Sequence, residues 1–308
     1  MPPRRVWANT VAAAIGILAL ATSVAVASGS SRLIHAVGAE NEYASVIAQI
    51  GGKYVSVSAI ESNPNADPHA FEASPSVAAE VSSARLAVQN GLGYDSYMNT
   101  IENASPSAAR KVIDVQKLLG LPDSTANPHL WYRSDTMAAV ARAIAADLSA
   151  IDPGERGYFA ANSQRFAASL QPWYAAIRAF AKDYPHVRVA TTEPVGDYLL
   201  SALGAVNLTR WPLQADIMNG VDPAPQNVSY ENSLFANHRV KVLVYNEQVT
   251  DPLTQSFLAS AKHARIPVVA VYETMPAPGY DYESWMLAEV AALRAALADR
   301  RSTTTLLH

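Results

Sequence analysis

The chain alternates short runs rich in β-branched residues with longer segments in which apolar residues recur every three or four positions. Continuous Val-rich runs are typical of strands buried on both faces of a parallel sheet. Six runs predict strands, at residues 33–38, 54–60, 85–89, 187–192, 240–245 and 266–272. Segments of helical period lie between them, among them 42–50, 134–149 and 283–298. This alternation predicts an α/β fold with doubly wound sheets.

Residues 152–185 differ from the rest because they contain no strand pattern. Their apolar residues recur at helical spacing, namely Tyr158, Phe159, Phe166, Leu170, Trp173, Tyr174, Ile177 and Phe180. A helix of this length would extend about 45 Å, and Pro172 should kink it or divide it. We therefore predict two α/β lobes, residues 28–151 and 186–308, joined by one long rigid helix.

The first 27 residues are typical of a secretory signal peptide. Arg4 and Arg5 precede an uncharged apolar stretch, 11–26, and small residues occupy positions 25–27 before Ser28. An uncleaved membrane anchor is the alternative, but a spanning helix needs about 20 strongly apolar residues. This stretch is diluted with Ala, Thr, Ser and Gly. We predict cleavage after Ala27 and an exported, soluble product.

Charge and cysteine content narrow the function further. The 308 residues include 23 Lys+Arg and 27 Asp+Glu, for a net charge of −4. A nucleic-acid binder needs clustered positive charge, so we expect no nucleic-acid partner. There is no cysteine, which excludes a disulfide, a thiolate metal site, a cysteine nucleophile and a lipidated cysteine.

Two of the seven histidines occur in a similar, stiff setting. They are His69 in Asp67-Pro68-His69 and His129 in Asn127-Pro128-His129. Proline fixes its own φ and favours an extended residue before it, and the Asp or Asn can accept a local hydrogen bond. An imidazole held in such a loop is positioned with little loss of entropy, as a metal ligand requires. The other histidines lie in ordinary strand, surface or terminal contexts.

Two acidic residues follow predicted strands of the second lobe. Glu193 comes directly after the strand at 187–192, and Asp281 lies beyond the strand at 266–272. Ligands of open α/β sheets bind outside the carboxyl ends of the strands. Two imidazoles and two carboxylates would form a mixed site for one divalent cation. Alternatively, both acids are ordinary helix-start residues.

Several motifs together resemble the zinc- and manganese-specific solute-binding proteins of ABC transporters. The most specific is Asp67-Pro68-His69-Ala70-Phe71-Glu72, and Asn127-Pro128-His129-Leu130-Trp131 is similar to the second ligand motif of that family. Residues 39–43, 50–52 and 88–95 are also similar to the family pattern. The resemblance covers nearly all of the mature chain.

The resemblance implies two α/β lobes, a long rigid connecting helix and one metal ion in the cleft between the lobes. It implies that His69 and His129 are ligands from the first lobe. Glu193 occupies a position where zinc-type members often carry histidine and manganese-type members glutamate. The fourth ligand is usually an aspartate of the second lobe, and Asp281 is the nearest match.

The resemblance also implies the biological role. We expect a monomer, not an enzyme, that captures Zn²⁺ or Mn²⁺ and delivers it to the permease of an ABC transporter. The chain departs from many zinc members in having no histidine-rich loop. It also carries no lipidated cysteine after the signal peptide, which indicates a free protein in the periplasm of a two-membrane bacterium.

The metal and the ligand class are left open by the residues themselves. Glutamate in place of histidine hardens the site towards Mn²⁺, yet Zn²⁺ binds more tightly in the usual affinity order. A siderophore-type binding protein on the same plan would need an aromatic and basic cleft. A zinc metallohydrolase is a further alternative, and it would need a spare general base beside the metal.

Overall fold

The computed structural model describes residues 1–3, 33–276 and 278–306. The predicted signal peptide and its cleavage after Ala27 lie outside the described residues, apart from positions 1–3, and so remain predictions. Among the described residues, no helix combines the length and the apolar character needed to cross a membrane.

The first lobe is built on a four-stranded parallel sheet. Its strands are β1 (Ile34–Glu40), β2 (Val55–Glu61), β3 (Leu86–Gln89) and β4 (Lys111–Asp114), in the order β2-β1-β3-β4. The accompanying helices are α1 (Asn41–Gly51), α2 (Pro75–Ser83), α3 (Ser96–Ala104), α4 (Val115–Leu118) and α5 (Thr136–Ile151). Every residue of β3 is buried, because layers cover both faces of the sheet.

The second lobe repeats this plan. Its parallel strands are β5 (Arg188–Thr191), β6 (Val206–Asn207), β7 (Val242–Asn246) and β8 (Val268–Val271), in the order β6-β5-β7-β8. Its helices are α8 (Asp197–Ala202), α9 (Trp211–Met218), α10 (Pro225–Ala236), α11 (Pro252–His263) and α12 (Tyr282–Asp299). The Val-rich runs in β7 and β8 are buried along their whole length, so the predicted fold class is confirmed.

Two helices, rather than one continuous helix, connect the lobes. α6 (Arg156–Ser169) and α7 (Gln171–Asp183) meet at Leu170, and Pro172 lies in the first turn of α7. Proline has no N–H to donate to the preceding turn and clashes with it, so the helix divides there. The prediction of a single helix is corrected, while the predicted effect of Pro172 is confirmed. Trp173 is buried and packs against the ring of Tyr282 at the start of α12.

All six predicted strands are present, with ends shifted by up to two residues. The sequence pattern does not predict β4 and β6, which lie at the edges of the two sheets. Edge strands this short carry too few apolar residues to produce a periodic signal. In the structure, β4 has two exposed residues among four, and β6 contains only two residues. The predicted lobe boundaries remain predictions.

Candidate metal centre

His69 lies in a tight turn that follows β2. A single 3-10 turn, Pro68–Ala70, begins after Asp67, whose Oδ1 accepts the backbone N–H of His69 at 2.8 Å. Proline is favoured at the first position of such a turn because its φ is already suitable and its missing N–H is not needed. The side chain of His69 is 28% exposed. This histidine therefore stands on a fixed backbone with its ring reachable from solvent.

His129 is held by Asn127 through both its backbone and its ring. The Asn127 Oδ1 accepts the His129 backbone N–H at 3.0 Å and lies 2.7 Å from the ring Nδ1. A carboxamide oxygen only accepts, so Nδ1 carries a proton. Nε2 is then the ring nitrogen that faces the site, as in many metal-bound histidines.

Three ligand atoms converge between the lobes. The Nε2 atoms of His69 and His129 lie 3.2 and 3.3 Å from the same oxygen, Oε2 of Glu273. Ligand atoms of these three residues all lie within 4.8 Å of one another. Tetrahedral zinc bonds of about 2.0 Å place neighbouring ligand atoms about 3.3 Å apart. The spacing therefore suits one small divalent cation.

The protonation states of His69 and Glu273 depend on each other. Burial raises the pKa of the Glu273 carboxyl, but hydrogen bonds and charge interactions with His129 and His69 outweigh burial and lower that pKa below its usual range. Burial lowers the pKa of His69, but the hydrogen bond to Glu273 and the charges of Glu273 and Glu193 outweigh it and raise the pKa to about 9. Without metal, a protonated His69 therefore pairs with an ionised Glu273.

Glu193 lies beside this group, two residues after the end of β5. It is 2% exposed, and its Oε1 accepts from Asn246 Nδ2 at 3.3 Å. Its Oε2 is buried without a hydrogen-bond partner among the described residues. Burial, followed by repulsion from Glu273, raises the pKa of Glu193 well above its usual range. Asn246 also donates to Glu273 Oε1 at 2.6 Å and so links the two carboxyl groups.

Contrary to the expectation from the sequence, the structure does not bring Asp281 into this group. It is an exposed N-cap of α12, where its Oδ1 accepts the backbone N–H of Ser284 at 3.0 Å. Glu273 supplies the second-lobe carboxylate instead. The sequence contained a usable signal, because Glu273 lies two residues beyond β8 as Glu193 lies two residues beyond β5.

Gln248 joins the Glu273 segment to the loop that carries His69. Its Oε1 accepts the backbone N–H groups of Glu273 at 2.6 Å and Thr274 at 2.8 Å. Its Nε2 donates to the carbonyl of Ala66, in the first lobe, at 2.8 Å. Gln248 is 7% exposed, so these hydrogen bonds are shielded from water. Pattern reasoning missed this residue because its role depends on how the lobes meet.

Two more carboxamides cross between the lobes. Asn41 exchanges two hydrogen bonds of 2.9 Å with the backbone N–H and carbonyl of Met275. Asn127 donates from Nδ2 to the carbonyl of Pro194 at 2.8 Å, directly beside Glu193. Three carboxamide side chains, which carry no net charge, therefore connect the lobes around these atoms.

The surroundings of the site are acidic and aromatic. Tyr94 donates its hydroxyl to Glu273 Oε2 at 2.9 Å. Glu40 and Glu42 are at most 1% exposed, and burial raises the pKa of both well above the usual range. The carboxylate oxygens of these two glutamates have no hydrogen-bond partner among the described residues. Such an environment favours a cation over an anionic ligand.

Comparison with known proteins bears on this arrangement. The sequence profile of the family described as zinc-uptake complex component A, periplasmic, matches residues 37–296. No curated protein matches the sequence.

Solved structures share the fold. One is a crystal structure of ZnuA, with 21% identity, a TM-score of 0.70 and coverage of 85% of this chain and 98% of that chain. Another is a cadmium-bound periplasmic metal-binding protein from Candidatus Liberibacter asiaticus, with 17% identity, a TM-score of 0.68 and coverage of 85% and 99%. A manganese-bound form of that protein gives the same values.

Proposed function

Since this chain belongs to the periplasmic zinc-uptake component A family, we propose that it captures a divalent metal ion and delivers it to the permease of an ABC transporter. The observation that carries the proposal is the convergence of His69, His129 and Glu273 with ligand atoms within 4.8 Å of one another. The metal ion is cargo, bound and released without chemical change.

We assign Glu193 as the fourth ligand. Its Oε2 is buried and has no hydrogen-bond partner among the described residues, and such groups are rare unless a ligand satisfies them. The charges of Glu273 and His69 both change the pKa of its carboxyl group. Two carboxylates and two neutral imidazoles would neutralise a divalent cation, with two ligands from each lobe.

Capture would exchange a proton for the metal. In the metal-free protein a proton on His69 bridges the imidazole and Glu273, and the metal must take its place because ligating imidazoles are neutral. With four protein ligands, a tetrahedral zinc ion has no coordination position left for an activated water, as a hydrolytic zinc site would require. The arrangement therefore supports binding rather than catalysis.

The four ligands suit either Zn²⁺ or Mn²⁺, and Glu193 is the residue that decides between them. Zinc accepts mixed imidazole and carboxylate ligands, whereas carboxylate oxygen suits manganese better than imidazole does. Replacing Glu193 with His should shift the ratio of affinities towards Zn²⁺. Unchanged selectivity in competition titrations would remove Glu193 from the coordination shell.

The place of action follows from the predicted signal peptide and from the family. We propose export to the periplasm with removal of residues 1–27. Since no cysteine is present to carry a lipid, the mature protein would diffuse freely to its permease.

Metal analysis and thermal unfolding test the proposal. Protein purified without chelator should contain close to one equivalent of metal, and added Zn²⁺ or Mn²⁺ should raise the melting temperature of the metal-free form. Saturation at 1,000 times Kd stabilises a folded protein by about 4 kcal/mol. The double variant His69→Ala/His129→Ala is the control and should not respond. No response of the wild type to any divalent ion would refute the proposal.

A further inference from the structure

A second candidate site lies at the amino ends of strands β7 and β8 in the second lobe. A groove of about 950 Å³ is lined there by residues at and just beyond the carboxyl ends of helices α10, α11 and α12. Its charged or titratable lining consists of His238, Lys241, His263, Arg265 and Arg300. Glu193 and Glu273 follow the carboxyl ends of β5 and β8 in the same sheet, so this groove is separate from the metal centre.

The three segments, 236–241, 262–267 and 296–302, are far more basic than the rest of the chain. They contain six Lys and Arg, two His and one acid, Asp299, although the whole chain has a net charge of −4. The six are Arg239, Lys241, Lys262, Arg265, Arg300 and Arg301; all are exposed, and none forms an ion pair with a described residue. Concentrated charge of one sign on a surface attracts a partner of the opposite sign.

The backbone conformation adds an independent observation. His238, Arg265 and Arg300 have φ values of 49°, 55° and 53°, in the left-handed region that favours glycine. Each follows the end of a helix, at a position where glycine is the usual residue. Three residues with side chains are therefore held in an unfavourable conformation around one groove.

The same chain uses glycine for this turn elsewhere. The backbone N–H of Arg265 donates to the carbonyl of Lys262, and the backbone N–H of Ile266 donates to the carbonyl of Ala261. Gly204 makes the same pair of hydrogen bonds, and so do Gly120 and Gly220. The turn itself therefore does not require a basic residue.

At α11, interaction with the helix dipole does not account for the additional arginine either. Basic residues stabilise a helix C-terminus from within its last turn, and Lys262 and His263 already occupy the last turn of α11. Arg265 adds a further positive charge beyond it, at the position where glycine is favoured. The turn after α11 therefore does not need the guanidinium group of Arg265.

We propose that this groove binds phosphoryl groups of a multiply charged anion. Two guanidinium groups and an ammonium group offer planar, paired N–H donors and point charge to phosphate oxygens, and Arg is the preferred residue for that recognition. The phosphoryl groups belong either to a soluble phosphate compound or to anionic phospholipid headgroups. Both sources present the same chemistry to Arg265 and Arg300.

The test uses metal-free mature protein and two probes. Inorganic tripolyphosphate is titrated by calorimetry, and association is measured with vesicles of phosphatidylglycerol and phosphatidylcholine against vesicles of phosphatidylcholine alone. The variant Arg265→Gly/Arg300→Gly removes both guanidinium groups and supplies the residue that the backbone favours. It should fold with an equal or higher melting temperature. The matched control Arg178→Ala removes an exposed arginine of α7.

We expect wild type and Arg178→Ala to bind at least one probe, and the double glycine variant to bind it at least about tenfold more weakly. Added salt should weaken binding in proportion to the charge involved. Binding of tripolyphosphate alone identifies a soluble phosphate compound, and binding of the anionic vesicles alone identifies headgroups. Absence of binding to both probes, or equal binding by the glycine variant, would overturn the proposal. Metal affinity should be the same in all three proteins, which separates this site from the proposed metal transport.

Discussion

The two proline–histidine loops share a sequence pattern but hold their imidazoles differently. Asp67 accepts only the backbone N–H of His69, and the ring of His69 is 28% exposed. Asn127 accepts both the backbone N–H and the ring Nδ1 of His129, and that ring is fully buried. The shared motif thus carries both proposed histidine ligands, while their surroundings decide how firmly each ring is held.

The difference between aspartate and asparagine extends this contrast across the lobes. The Asn127 amide also donates to the carbonyl of Pro194, next to Glu193. Aspartate has no donor to offer at that position when ionised. Asn127 therefore orients the ring of His129 and fixes the segment of Glu193, the proposed ligands from the two lobes, whereas Asp67 acts only within its own turn.

The largest effect should come from removing the histidines. His129→Ala should lower metal affinity more than His69→Ala, because water can more easily take the place of the partly exposed ring. Both losses should exceed about 100-fold, since even groups that only support a ligand are worth about 10- to 100-fold. Competition titration measures both, with His238→Ala as a control outside the site. Equal losses in the two variants would remove the contrast between the loops.

A loss of similar size should follow from changing the carboxylate that both rings contact. Glu273→Gln keeps the shape of the side chain but removes its charge, so affinity should fall about 100-fold or more, beyond the range for supporting groups. Asp281→Ala should leave affinity unchanged and lower the free energy of unfolding by about 1 kcal/mol through loss of an N-cap. Titration and chemical denaturation distinguish the two residues. A drop in affinity for Asp281→Ala would restore Asp281 as a ligand.

A smaller effect should separate the residues that precede the prolines. Asn127→Ala removes the acceptor of the His129 ring proton and should cost about 10- to 100-fold in affinity. Asp67→Ala removes only a turn hydrogen bond and should cost less. Asn127→Asp restores the acceptor but not the donor, so its affinity should lie between those of wild type and Asn127→Ala. If Asp67→Ala were the more damaging change, the two loops would have been assigned the wrong roles.

The smallest expected effect is the change of metal affinity with pH. The pKa of His69 is raised to about 9 in the metal-free protein, so metal must displace its proton below that pH. The proton released from His69 should make affinity rise about tenfold per pH unit, and this contribution should level off near pH 9. Metal titrations at several pH values below 9 test this expectation. His69→Ala should reduce the slope of log affinity against pH.

The raised pKa of His69 should make the metal-free protein less stable as pH rises, whereas metal affinity increases. A histidine whose pKa is raised from 6.5 to about 9 on folding contributes stability that is complete below pH 6.5 and lost as pH rises towards 9. Metal-free protein should therefore lose stability over this interval while metal binding gains strength. Denaturation of both forms at several pH values measures the two trends.

Much of this arrangement could be predicted because it is encoded locally. The Val runs of β7 and β8 indicate buried parallel strands, and the Pro-His motifs indicate rigid loops without reference to the rest of the chain. Glu273 was missed because several acids follow β8 at different distances. The choice among them depends on where the strand ends and α12 begins.

Other features could not be predicted because they depend on how the lobes pack. Nothing near Gln248 in sequence indicates that its side chain reaches both Glu273 and Ala66. Asn41 and Met275 are likewise far apart in the chain yet joined by two hydrogen bonds. Such contacts follow from tertiary structure alone, and they hold the ligand loops in register.

Anomalous diffraction from crystals of the metal-loaded protein tests the central claim most directly. The account predicts one strong peak between the lobes, about 2.0 to 2.2 Å from Nε2 of His69, Nε2 of His129 and a carboxylate oxygen of Glu273 for zinc. It predicts a carboxylate oxygen of Glu193 as the fourth neighbour. A peak beside Asp281, or a metal that lacks either histidine as a neighbour, would contradict the account.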